Sequence, residues 1–244
     1  MIESLTPVLM LVVGLGAGAL VTLVARALPE RGRLIGRPIC AAEGCGLPWW
    51  AASQTARALG IGKACPSCGA GPARSDVLLE VGTAVVFAAL AVTTSAGAML
   101  AVHAAFATLL MVILAIDLRH REVYLILGFG GIALALLVAP SSMSGSWFSA
   151  AVGSAVGGLG FGGLYLLGRL LYRGGEPLGS GDITIAALLG AMAGFPGVLT
   201  ALLVGVLAGG IGAIVILIAG GSRKVIMPYG PALCLGGLWA MLVR

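Results

Sequence analysis

The chain has 244 residues, of which 59% are hydrophobic and only 9% charged, with a formal charge of +5 and a mean hydropathy of +1.11. A soluble domain carries roughly 25% charged residues, so this composition excludes an ordinary water-soluble fold. It predicts an all-α, polytopic membrane protein with the lipid bilayer as its surroundings and no nucleic-acid partner.

Eight apolar segments follow in order: Leu5 to Leu28, Val77 to Ser95, Ala98 to Ile116, Val123 to Ala139, Trp147 to Leu171, Asp182 to Phe195, Val198 to Ala219 and Val225 to Val243. The first is long enough to span and has no Ala-x-Ala-like site before a soluble mature domain, so it reads as a membrane helix ended by Pro29 and the basic residues after it rather than a signal peptide. Gly14, Gly16 and Gly18 give it a small-residue face for helix packing. The sixth has 14 residues, short of the roughly 20 that a span requires, which predicts local thinning of the bilayer there. The expected organisation is a first helix at 1–28, a polar cysteine-bearing loop domain at 29–76, and a seven-helix core at 77–244.

An eight-span reading sorts the charges. Of 14 Lys and Arg, all except Arg244 fall on one side of the membrane, seven of them from Arg26 to Arg74 in the region of the 29–76 loop and the rest at the loops 117–122, 169–181 and 220–224. The positive-inside rule makes that side cytoplasmic. The expected location is therefore a bacterial inner membrane, with the cysteine loop facing the cytosol.

Cys40 and Cys45 are spaced C-x4-C, and Cys65 and Cys68 are spaced C-x2-C. Two such pairs match a four-thiolate zinc site, and a cytosolic location argues against disulfides. Four thiolates leave no open position, so the metal would be structural, and a short loop with little core gains stability from it. Trp49 and Trp50 read as a small core or an interfacial anchor. Cys234 reads as a small buried residue.

Asp117 and Asp182 stand at the cytosolic ends of two apolar segments. Acids beside hydrocarbon in so uncharged a chain are expected to be functional. Asp182 could simply favour a helix start, and Asp117 could form a surface ion pair with neighbouring Arg119 or Arg121. However, Gly179 and Gly181 flank Asp182 and remove bulk around it. Two carboxylates held close share one proton, so one can activate water while the other donates to a carbonyl oxygen. That is aspartyl-protease chemistry. The two histidines, His103 and His120, and the serines offer no competing nucleophilic arrangement.

These residues resemble the bacterial type IV prepilin peptidases, which are GxGD aspartyl proteases. Gly179-Ser180-Gly181-Asp182 matches G-x-G-D, and Asp117-Leu118-Arg119 with its basic turn resembles the first aspartate motif. Pro228-Tyr229-Gly230-Pro231 resembles P-[FY]-G-P, and the cysteine pairs resemble the family's zinc loop. The resemblance implies catalysis by Asp117 and Asp182, with Gly179, Gly181, Pro228, Gly230 and Pro231 shaping the active-site loops. It implies a prepilin or pseudopilin substrate, cut between a basic leader and an apolar helix at the cytoplasmic face.

Many members also methylate the new N-terminus with S-adenosylmethionine. Arg26 and Glu80, on the motifs of the first two helices, are the residues that the resemblance associates with this second activity. The chain departs from the family where polar residues of the first-helix motif are absent, where the first cysteine pair is stretched, and in having no Asn at all. A peptidase without methyl transfer therefore stays open beside the bifunctional enzyme. So does a proton- or cation-coupled transporter, although no transporter-type repeat is evident.

Overall fold

The computed structural model describes residues 2–34, 36–40, 42, 44–62, 64–171, 179–220 and 229–243. Its helices are α1 (Ile2–Arg31), α2 (Gln54–Ala58), α3 (Arg74–Thr93), α4 (Ala98–His120), α5 (Leu125–Leu137), α6 (Trp147–Leu171), α7 (Ser180–Ala193), α8 (Gly197–Ile218) and α9 (Gly230–Leu242). Strand pairing among the described residues is limited to one antiparallel bridge between Ile39 and Gly46. The protein is all-helical, and α1, α3, α4, α6 and α8 are long and apolar enough to cross a membrane.

Three further apolar helices are shorter: α5, α7 and α9 have 13, 14 and 13 residues. At about 1.5 Å per residue each reaches about 20 Å, against a hydrocarbon core about 30 Å thick. Of the last apolar segment, residues 225–228 lie outside the described residues. Within it, Pro231 occupies the first turn, where a missing N–H costs no hydrogen bond. Pro29, expected to end the first helix, instead lies inside its last turn.

Close packing is set by glycines spaced four apart. A methyl group on Gly14 would come within 2.7 Å of Ala84 Cα, and one on Gly18 within 2.6 Å of Glu80 Cα, so α1 lies directly on the α3 backbone. Gly16, expected on the same face, points into open space. Gly153 and Gly157 of α6 abut the backbone carbonyls of Gly190 and Ala186 on α7. Gly205 of α8 meets Gly236 and Leu233 of α9. In lipid the apolar surroundings give little drive for association, so these van der Waals contacts and buried polar bonds hold the bundle.

The centre of the bundle is formed by α4, α7 and α9. Leu110, Ile113 and Ile116 of α4, Leu188 and Leu189 of α7, and Leu233 and Met241 of α9 are fully buried in one core. Gly237 of α9 fits between Leu110, 2.9 Å from its Cβ position, and Leu189. α9 therefore bridges α4 and α7, and brings their polar ends to one end of the molecule.

Candidate active site and cysteine cluster

α4 does not stop at Asp117, as its hydropathy suggests. It continues one turn, to His120, and ends where Arg121 adopts a left-handed conformation (φ 55°) and donates its N–H to the Asp117 carbonyl at 2.9 Å. Asp117 therefore occupies the last helical turn, and its residue is 4% exposed. A non-glycine residue in the left-handed region costs about 1 to 2 kcal/mol, and such local strain concentrates at functional sites.

Asp182 lies in the first turn of α7, three residues after the N-cap Gly179. Its Oδ2 accepts the Gly179 backbone N–H at 3.1 Å, and the residue is 6% exposed. The carboxylate thus folds back over the helix start, where the macrodipole favours negative charge. Gly181 is pressed against Val123, with a Cβ position 2.8 Å from Val123 Cγ2, so no larger residue fits there.

The two acids come within each other's electrostatic reach, with Arg121 as the further charge acting on Asp117. Gly230, the first residue of α9, packs against both helices: its Cβ position clashes with Asp117 Oδ2 and lies 3.1 Å from Ile185 Cδ1. Cys234, one turn along α9, is fully buried and lies within the field of both carboxylates. Tyr229 senses Asp182 and stacks at a tilt on Phe161, with ring centroids 6.4 Å apart. Pro231 is buried in the first turn of α9. Pro228, the first residue of that motif, lies outside the described residues.

The four cysteines meet. Their sulfurs lie within 4.8 Å of one another, with Cys45–Cys65 at 3.1 Å, Cys40–Cys68 at 3.5 Å and Cys45–Cys68 at 3.6 Å. Thiolates around a tetrahedral zinc, each about 2.3 Å from the metal, stand roughly 3.8 Å apart, so this set fits such an ion. When bound, zinc would cross-link the two cysteine turns. The Cys65 thiol is held down to about 6 by the hydrogen bond from Cys45, helped by the backbone N–H groups of Cys68 and Ser67. That same contact pushes Cys45 up to about 12.

The unequal cysteine spacings have a structural explanation. Cys40 N–H donates to Cys45 O (2.8 Å) and Gly44 N–H to Cys40 O (3.0 Å); Cys65 N–H donates to Ala70 O (2.9 Å) and Gly69 N–H to Cys65 O (2.9 Å). Gly44 and Gly69 have φ of 64° and 70°. Both pairs therefore sit on the same turn, with a left-handed glycine at its fifth position. The second cysteine falls at position four of one turn and position six of the other.

Arg26 and Glu80 are buried or nearly so in a polar network. Glu80 accepts from Ser53 Oγ, the Gln54 N–H and the Thr55 N–H, each at 2.8 Å, and from Thr22 Oγ1 at 3.4 Å. It thereby caps α2 from the side of α3. Arg26 pairs with Asp76 and donates to Ile39 O at 3.1 Å. Asp76 is fully buried between Arg26 and Arg119. Sequence reasoning missed Asp76, Ser53 and Gln54, because an acid in a helix's first turn reads as a macrodipole partner and its cationic partners lie 50 and 43 residues away. Trp49 is exposed, and the small core under the cysteines is formed by Leu47 and Ala51. His103 is buried and bonds Thr94 Oγ1 at 3.2 Å.

The type IV leader peptidase family model matches residues 104–214, a stretch that includes Asp117, Asp182 and the helices α5 and α6 between them. Searches of curated proteins and of solved structures find no match. Residues 104–214, which carry both acids, are thus similar to the type IV leader peptidase family.

Proposed function

We propose that the protein is a membrane aspartyl endopeptidase that removes the leader of type IV prepilins or pseudopilins, with Asp117 and Asp182 as its catalytic pair. The observation that carries this reading is that two buried carboxylates from separate helices act electrostatically on each other, with Asp117 seated against Gly230. One carboxylate takes a proton from water, whose oxygen bonds to the scissile carbonyl carbon. The other, protonated, donates to the carbonyl oxygen. Collapse of the tetrahedral adduct breaks the C–N bond, and the amine leaves with a proton from the pair. The pair sits at a helix end, which suits a bond placed between a basic, water-exposed leader and an apolar helix.

We further place all eight apolar helices in the bilayer, with both acids and the cysteine turns on the cytoplasmic side. The distribution of Lys and Arg supports that orientation. The brevity of α5, α7 and α9 supports a thinned bilayer that lets water reach the acids. Ile185 is fully buried by protein, so the exposed Ser180 is the position at which a cysteine probe reports water.

The bonds that Glu80 accepts support a structural role for it, which favours a peptidase without methyl transfer. Incubating the purified protein with a prepilin and weighing the product's new N-terminus tests both points. Cleavage directly before the apolar helix, without the mass of a methyl group, is expected. An uncut substrate contradicts the reading.

A further inference from the structure

The turn that carries Asp117 is tied to distant parts of the chain by one buried acid. Asp76, in the first turn of α3, is fully buried and ion-paired to Arg26 of α1 and Arg119 of α4. Arg119 lies two residues beyond Asp117, in the same final turn of α4. Residues two apart on a helix point to different sides: Asp117 faces Gly230 and α7, while Arg119 reaches α3. The Arg121 N–H holds the Asp117 carbonyl from the other end of that turn. Arg26 also donates to Ile39 O, next to Cys40, so the network reaches the cysteine turns.

We propose that Asp76 is a positioning residue for Asp117. Acting through Arg119, it fixes the rotation of the last turn of α4, and with it the direction of the Asp117 carboxylate. This rests on the assignment of Asp117 as catalytic. A buried ion pair is a poor source of stability but a good source of geometry: replacing all its members with apolar residues is often neutral, while removing one member is costly. Arg119 Nη1 is buried without a hydrogen-bond partner. Its guanidinium is therefore held in place chiefly by Asp76.

The test measures cleavage of a prepilin-like substrate with a basic leader and an apolar helix, alongside thermal melting in detergent. The triple variant Arg26→Met, Asp76→Leu, Arg119→Met removes all three charges and orphans none. It is expected to fold and to lose roughly ten- to a hundredfold in kcat, the scale for a catalytic group displaced by about 1 Å, with KM changed by less than about twofold. Arg119→Gln should lose turnover in the same way, and Arg119→Lys, which retains the charge facing Asp76, should recover much of it.

Wild-type kcat in the folded triple variant overturns the proposal, as does Arg119→Lys performing no better than Arg119→Gln. Asp117→Asn is the control that separates the two levels. Cleavage retained there overturns the active-site assignment itself, whereas an inactive Asp117→Asn beside a fully active triple variant overturns only the role of Asp76.

Discussion

Gly230 leaves room for Asp117: a methyl group at position 230 would clash with Asp117 Oδ2. The carboxylate keeps its position because the first residue of α9 has no side chain. Gly230→Ala must therefore turn Asp117 aside or push α9 away from Ile185. The expected result is a loss in kcat of roughly a hundredfold, in line with small displacements of catalytic groups. Gly16→Ala, which meets no neighbour within 4 Å, should leave both cleavage and melting temperature at or slightly above the wild-type value.

Glu80 is expected to hold the cysteine-bearing segment onto α3. Glu80→Gln replaces one acceptor oxygen by an NH2 donor that would face the N–H of Gln54 or that of Thr55, which bond separate oxygens of Glu80. A buried donor without an acceptor costs about 1 to 3 kcal/mol. A lowered melting temperature and faster proteolysis within residues 36–70 are the expected readouts, and unchanged values for both would count against that role.

The cysteine cluster should hold a metal in the purified protein. Elemental analysis is expected to find about one zinc per chain, the capacity of four thiolates. A strong chelator should remove it and lower the melting temperature. Cys65→Ser should lower zinc content, while Cys234→Ser, at a cysteine in α9 away from the cluster, should not. Equal zinc content in both variants would contradict the assignment.

The helical class, the order of the apolar segments and the two acids were legible in the sequence, because hydropathy over a long window and an acid beside it are local signals. The ends of the elements were less so. Hydropathy falls at Asp117, yet the helix hydrogen bonds continue to His120 because the Arg121 backbone closes the turn. Gly14 and Gly18 were told apart from Gly16 only by the position of α3. The Asp76 and Glu80 networks were hidden for the same reason: their partners are dozens of residues distant, and residue type alone does not say which acids are buried. The match of the two cysteine turns was masked by their different spacings, although the glycine at the fifth position of each was a visible clue.

The most direct test of the paired carboxylates is neutralisation of each acid without change of shape. Asp117→Asn and Asp182→Asn are to be purified in detergent, shown to melt like the wild type, and incubated with a prepilin whose product is read by mass. Each variant alone should yield only uncut substrate. Leader removal at the wild-type rate by either folded variant would contradict catalysis by this pair.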